Sequence, residues 1–190
     1  MLTAELSQNF SIGYNKVVVQ FANKGLAHHA VDGDGSWFDQ WNDCNDAKGW
    51  NVISTGELAI TDKFHVNHVE SYGQAKKTKA GVEKEQLFRF VVRPWYQLSE
   101  YTRVYAEAGT YMFNTHYENG SKDIARGQKY TLAYAIAPDL SMFSRPELRF
   151  FVSYLNAHDY DKGHGVSSYD DPLKSYQNDY CFGVQAEAWW

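Results

Sequence analysis

Long apolar runs are missing from this chain. No stretch of about 18 consecutive apolar residues occurs, so a helical membrane span is excluded and only strands could cross a bilayer. No basic cluster offsets the formal charge of -5, which argues against a dedicated nucleic-acid binder. The first residues, Met1-Leu2-Thr3-Ala4-Glu5-Leu6, show neither a basic segment nor an apolar core of the kind a secretory signal carries. No Gly-x-Ser-x-Gly elbow, phosphate-binding loop or zinc motif occurs. Cysteine is limited to Cys44 and Cys181. Both are expected on the exterior side, where either a disulfide or two free thiols would be compatible with the pattern.

What is present is aromatic and amphipathic. Aromatics make up 16% of the 190 residues, with 14 Tyr and 6 Trp, yet the mean hydropathy is only -0.54. Tyr and Trp join an apolar body to a polar handle, which suits a membrane interface. The last ten residues alternate with period two. Phe182, Val184, Ala186, Ala188 and Trp190 fall on one face, with Gly183, Gln185, Glu187 and Trp189 on the other. A terminal strand of this kind is how an outer-membrane barrel closes, although a soluble sandwich can end the same way.

Amphipathic stretches recur at about 12–22, 50–61, 64–75, 85–97, 101–113, 128–138, 143–156 and 181–190. Most have the nine to eleven residues or slightly more that a tilted membrane strand requires. Their connections alternate between long, at about 23–49, 76–84, 114–127 and 157–180, and short, at about 62–63, 98–100 and 139–142. That alternation predicts an all-β, antiparallel transmembrane β-barrel with short periplasmic turns and long outer loops.

Within 143–156, Leu148, Phe150, Val152 and Tyr154 oppose Phe143, Arg145, Glu147, Arg149 and Ser153. Within 101–112, Val104, Ala106, Ala108 and Met112 oppose Arg103, Tyr105, Glu107 and Tyr111, and Tyr130, Leu132, Tyr134 and Ile136 point outward from 128–138. A charged residue facing lipid at mid-depth costs roughly 2–4 kcal/mol, so Arg103, Glu107, Arg145, Glu147 and Arg149 are expected to face the interior. Pro94 and Pro146 are read as local breaks or rim positions. The stretch 50–75 alternates poorly.

Five motifs carry a family resemblance. They are Thr3-Ala4-Glu5 with Gly13-Tyr14-Asn15-Lys16-Val17-Val18-Val19-Gln20, then Val92-Arg93-Pro94, then Ser144-Arg145-Pro146-Glu147-Leu148-Arg149-Phe150-Phe151, and finally Gly183-Val184-Gln185-Ala186-Glu187-Ala188-Trp189-Trp190. In order and spacing, from about residue 3 to Trp190, they resemble the C-terminal part of maltoporin-type sugar porins, the family of maltose, sucrose and β-glucoside porins. The resemblance implies a trimeric outer-membrane barrel of about 18 strands that passes oligosaccharides without catalysis or cofactor. On that reading residues 1–190 are a single partial barrel holding the last eight strands, a fragment with two unpaired edges. Such edges aggregate and cannot sit in lipid, so the fragment alone is expected to be inert unless complemented.

Sugar porins guide oligosaccharides along a band of aromatic side chains. A sugar ring stacks its apolar face on an aromatic while its hydroxyls seek polar partners, and many weak sites allow conduction. The resemblance places Tyr14, Phe143 and Trp189 on this slide. Alternation agrees, because Tyr14 is in phase with Lys16 and Gln20, Phe143 with Arg145, and Trp189 with Glu187. The family more often has Phe at the first position and Trp at the second, which hints at a sugar other than maltodextrin, such as a β-glucoside. Arg103, Glu107, Arg145, Arg149 and Glu187, with Glu147, could contact sugar hydroxyls or pair with one another along the wall.

Other features have plain readings. Asp32-Gly33-Asp34-Gly35 with Asp39, Asp43 and Asp46 lacks the glutamate that completes a calcium loop and reads as a solvated outer loop. His28, His29, His65 and His68 form no compact ligand set. Ser36-Trp37-Phe38-Asp39-Gln40-Trp41 could bind sugar or phage, or simply pack in a loop. The rival class is a soluble β-sandwich that binds or hydrolyses carbohydrate. A glycosidase would need two carboxylates flanking the cleaved bond, and only Glu107 and Glu147 are inward candidates in regular strands.

Overall fold

Alternation of polar and apolar residues with period two turns almost all of the described chain into strand. The computed structural model describes residues 1–32, 44–139, 144–158 and 178–188. Its strands are β1 (Leu2–Phe10), β2 (Gly13–Asn23), β3 (Lys48–Ala59), β4 (Phe64–Lys76), β5 (Val82–Gln97), β6 (Thr102–Tyr117), β7 (Lys122–Ile136), β8 (Glu147–His158) and β9 (Asp179–Glu187). They form one antiparallel sheet in sequence order, β1 to β9, open at both edges. No described helix is long and apolar enough to cross a membrane.

Nine strands stand where the sequence pattern leads to eight. The additional one, β1, alternates Leu2, Ala4, Leu6 and Phe10 against Thr3, Glu5, Ser7 and Asn9. Nothing separates it from β2 except Ser11 and Ile12, a turn without the Gly, Pro, Asn or Asp that would mark it in sequence. The strict alternation of connection lengths also fails. The connections expected at 76–84 and 114–127 are the tight turns 77–81 and 118–121, because β5, β6 and β7 run beyond the length a span requires. The one expected at 139–142 widens to 137–146, since β8 starts at Glu147 rather than 143. The two ends are therefore told apart by chain direction, not by loop length. Turns 11–12, 60–63, 98–101 and 137–146 share one end, which we call the turn end. Connections 24–47, 77–81 and 118–121 share the other, the loop end.

Pro94 and Pro146 sit at irregularities. In the β5–β6 ladder the pairing passes from Val92–Ala108 to Trp95–Tyr105 across Arg93 and Pro94, as expected where a ladder N–H is absent. Pro146 lies immediately before β8, after a cis peptide bond with Arg145.

Register assigns the faces. Pairs such as Trp95–Tyr105, Tyr105–Ala133 and Ala133–Phe151 share an inner face that is shielded, with Trp95, Tyr105 and Ala133 all buried. The opposite, outer face is an exposed apolar surface. Leu132 is 61%, Val184 62% and Phe182 84% accessible, and Tyr134, Ile136, Leu148, Phe150 and Val152 are exposed beside them. On this face Tyr130, Tyr154 and Tyr180 lie in one row, with ring centroids 6.4 and 5.0 Å apart.

The connection after β2 folds onto the inner face at the loop end. A 3-10 turn (Lys24–Leu26) leads into a short helix, α1 (His29–Asp32), which packs on β2, β3, β4 and β5. Two glycines make this approach possible. A methyl on Gly49 would overlap the Ala27 carbonyl, and one on Gly73 would overlap the Ala30 carbonyl. Ala30, Val31, Ala75 and Leu87 close a small core there, with Phe113 against it, and Ala27, Cys44 and Ala47 form a second. This explains the poor alternation of 50–75: near the loop end the inner positions of β3 and β4 contact protein rather than water.

Replacing Gly73 by Val should displace the Ala30 carbonyl and cost about 2–3 kcal/mol. Gly109→Ala meets only ordinary contacts, the nearest at 3.5 Å, and should stay within about 0.5 kcal/mol. Equilibrium unfolding in detergent, followed by circular dichroism, measures both.

Candidate functional site

At the turn end the inner face carries a continuous band of charged and aromatic side chains. It begins at Tyr14 on β2, whose register partner on β3 is Glu57. Glu57 accepts hydrogen bonds from Asn67 Nδ2 at 2.7 Å and contacts His65 Nδ1 at 3.0 Å. The His65 ring lies against the Trp95 ring, 4.1 Å between centroids and 14° from parallel. The Arg103 guanidinium lies over Trp95, 5.8 Å from the ring centroid, and Arg93 lies 5.0 Å from that of Tyr105.

Salt bridges carry the band on to β9. Arg93 holds Glu107 through Nε at 2.8 Å and also through Nη2. Arg103 donates to Glu147, which also accepts from Arg149 Nε at 2.9 Å. Arg149 bridges onward to Glu187 at 2.8 Å, and Arg145 reaches the same carboxylate at 3.1 Å. Glu147 and Arg103 are nearly fully buried. Buried charges require such mutual pairing, because an unpaired one would carry its whole desolvation cost. These charges pair with one another across β5, β6, β8 and β9.

Arg103, Glu107, Arg145, Arg149 and Glu187 are thus brought together, with Tyr14 on the same face. Arg145 joins from the connection before β8, not from a strand, so its alternation with Phe143 does not follow from strand geometry. Phe143 and Trp189 lie outside the described residues. In sequence they flank the band, Phe143 next to the buried Ser144 and Trp189 two residues beyond Glu187.

Sequence reasoning passed over Trp95, Arg93, Glu57, His65 and Asn67 as site residues. Arg93 and Trp95 share one phase of β5 with Glu85 and Leu87, a signal that alternation could have supplied. The Glu57–His65–Asn67 cluster depends on register between β3 and β4, which a single sequence does not display.

A second polar cluster lies at the loop end. Glu85, fully buried, accepts from Thr78 Oγ1 at 2.6 Å and pairs with Lys79 at 3.3 Å and His28 at 3.5 Å. It thereby ties the folded-in segment to β5. Cys44 is buried in the same region and donates through Sγ to the Thr78 carbonyl at 3.0 Å, while Cys181 is exposed on β9, and no disulfide joins them. His28, His65 and His68 each face a carboxylate, and no group of three metal-ligating side chains occurs among the described residues.

Removing one partner of the buried Arg103–Glu147 pair, as in Arg103→Met, should cost about 3–5 kcal/mol. Glu187→Gln, at a more accessible position, should cost about 1 kcal/mol or less. Chemical denaturation of the two variants beside the parent protein gives the comparison.

The comparisons with known proteins agree with this architecture. The model of the LamB porin family matches residues 1–190. Maltoporin 1 of Klebsiella pneumoniae subsp. pneumoniae is 43% identical over 190 residues, covering 100% of this chain and 43% of that protein. Maltoporin 2 of Yersinia pestis is also 43% identical, with 44% of its length covered. Maltoporin 1 of Aeromonas salmonicida is 45% identical over 192 residues, 43% of its length. The chain therefore spans less than half the length of the curated relatives it matches. With the family model matched from end to end and the two-faced antiparallel sheet in place, this chain belongs to the LamB porin family.

Proposed function

We propose that this chain forms part of the wall of a sugar-selective outer-membrane porin, a passive pore for oligosaccharides that uses no cofactor. The observation that carries the reading is the sheet's division into two faces. The outer face exposes Phe182, Val184, Leu132, Phe150 and Val152, a surface suited to lipid, whereas the inner face carries the ionic and aromatic band. In a pore the inner face would meet water and sugar. Further strands of the same protein would complete a barrel of about 18 by pairing with the open edges β1 and β9, and three copies would form the trimer.

In this reading Tyr14, Phe143 and Trp189 supply stacking surfaces for the sugar. Arg103, Glu107, Arg145, Arg149 and Glu187 line the wall beside them and offer polar contacts to hydroxyls. The changes at Tyr14 and Phe143 relative to the family pattern favour a β-glucoside-like sugar over maltodextrin. Relatives named maltoporin support the general class of solute. The hydrolytic alternative gains nothing from the two acidic candidates, since Arg93 holds Glu107 while Arg103 and Arg149 hold Glu147.

The test is sugar block of single-channel current in planar bilayers, using the porin purified from outer membranes. Maltooligosaccharides and β-glucosides should both interrupt the current, the latter at lower concentration. Tyr14→Ala, Phe143→Ala and Trp189→Ala should each raise the half-blocking concentration about 3- to 10-fold. Unchanged block in all three variants would remove the slide assignment, and absence of any sugar block would remove the porin reading.

A further inference from the structure

At the loop end the outer face carries a row of cationic side chains. Lys48 of β3 stands opposite Lys76 of β4, Lys76 opposite Lys84 of β5, Lys84 opposite His116 of β6, and His116 opposite Lys122 of β7. The row shares the phase of the apolar outer residues, Lys84 with Phe88 and Val92, Lys122 with Tyr130 and Leu132. Neighbouring strands lie about 4.8 Å apart, so it runs about 19 Å across the sheet. Like charges directly opposite one another destabilise a ladder. Among the described residues no carboxylate forms an ion pair with the four lysines or with His116. Polarity then falls in steps along the strands. Two residues toward the turn end come Trp50, Gln74, Gln86 and Asn114, and two further on Val52, Tyr72, Phe88 and Met112. The Trp50 and Tyr72 rings lie 5.5 Å apart. An open groove of about 710 Å³ on the same face is lined by Lys48 and Lys76 together with Leu2, Phe21 and Trp50.

We propose that this rim of the outer face is a binding site for a lipid that carries more than one phosphate group. The inference rests on the pore reading, in which the outer face meets lipid and the loop end faces outside. Phosphates take the lysine row, where each anion relieves repulsion between opposed cations, and basic side chains beside a membrane attract anionic headgroups. The amides of Gln74, Gln86 and Asn114 meet the polar linkage of the headgroup. Acyl chains run along Tyr72, Phe88 and Met112 and into the groove, below an aromatic pair of the kind found at membrane interfaces. A row of about 19 Å spans several phosphates, more than one would neutralise. A zwitterionic lipid would bring its own cation against the lysines, and a free phosphate ion would leave the apolar groove unused.

The test is native mass spectrometry of the porin purified from outer membranes, stripped of lipid in detergent and titrated with lipid A, a glycolipid bearing two phosphates. Lys76→Gln combined with Lys84→Gln should raise the half-saturating concentration about tenfold or more, and removal of both phosphates from the lipid should do the same. Lys63→Gln combined with Lys129→Gln removes equal charge from the turn end and from the inner face and should leave binding unchanged. Parent-like binding by the Lys76 and Lys84 variant overturns the proposal, as does equal weakening in both double variants or displacement of the lipid by inorganic phosphate at matched concentration. None of these results alters sugar block of the channel, so failure of the lipid site and failure of the pore reading are distinguishable.

Discussion

The backbone hydrogen-bond ladder is the constraint on which this structure depends. In hydrocarbon no water is present to satisfy an open N–H or C=O, so a membrane sheet must pair every strand on both sides. The register from β1 to β9 shifts only near Val82, and at Arg93 and Pro94 the β5–β6 pairs lapse without a shift. This consistent register holds alternate side chains on opposite faces, since a slip of one residue would exchange them. The open edges at β1 and β9 need partners for the same reason. The chain's match to under half the length of its maltoporin relatives is consistent with such partners lying elsewhere in a larger barrel.

Given the ladder, the inner face divides into two zones. Near the loop end the segment around α1 covers β2 to β5, and the residues beneath it are small or apolar: Gly49, Gly73, Ala75 and Leu87. Glu85 anchors this cover through Thr78, Lys79 and His28. Near the turn end no described loop segment covers this face, and charge satisfies charge from Arg93 to Glu187. The aromatic members of that band are held in place electrostatically as well as by packing, with Trp95 between the His65 ring and the Arg103 guanidinium.

Much of this was legible in the sequence, and the reasons are local. The phases of Leu148, Phe150 and Val152 against Glu147 and Arg149, and of Tyr130, Leu132, Tyr134 and Ile136, follow from the pleat alone, and the exposures agree. Arg103, Glu107, Glu147 and Arg149 take the phase opposite Val104, Ala106, Ala108, Leu148, Phe150 and Val152, while Arg145 reaches the band from a connection. What sequence missed depends on long-range geometry. β1 was hidden because only Ser11 and Ile12 separate it from β2. The poor alternation of β3 and β4 came from a cover supplied by the connection at 24–32, which no local pattern reveals. The partnership of Glu57 with His65 and Trp95 arises only once three strands are in register. Tyr14 takes its expected face, whereas the roles of Phe143 and Trp189 remain proposals tied to their neighbours in the chain.

The central claim is that alternate residues of these strands face water on one side and lipid on the other. Single cysteines placed in turn at positions 148 to 153, in a porin whose Cys44 and Cys181 are replaced by serine, test it directly when treated in intact membranes with a membrane-impermeant maleimide. The account predicts labelling at 149 and 151, protection at 148, 150 and 152, and no labelling at 153, where Ser153 is buried against Thr131. Labelling without alternation, or with the opposite phase, would contradict it.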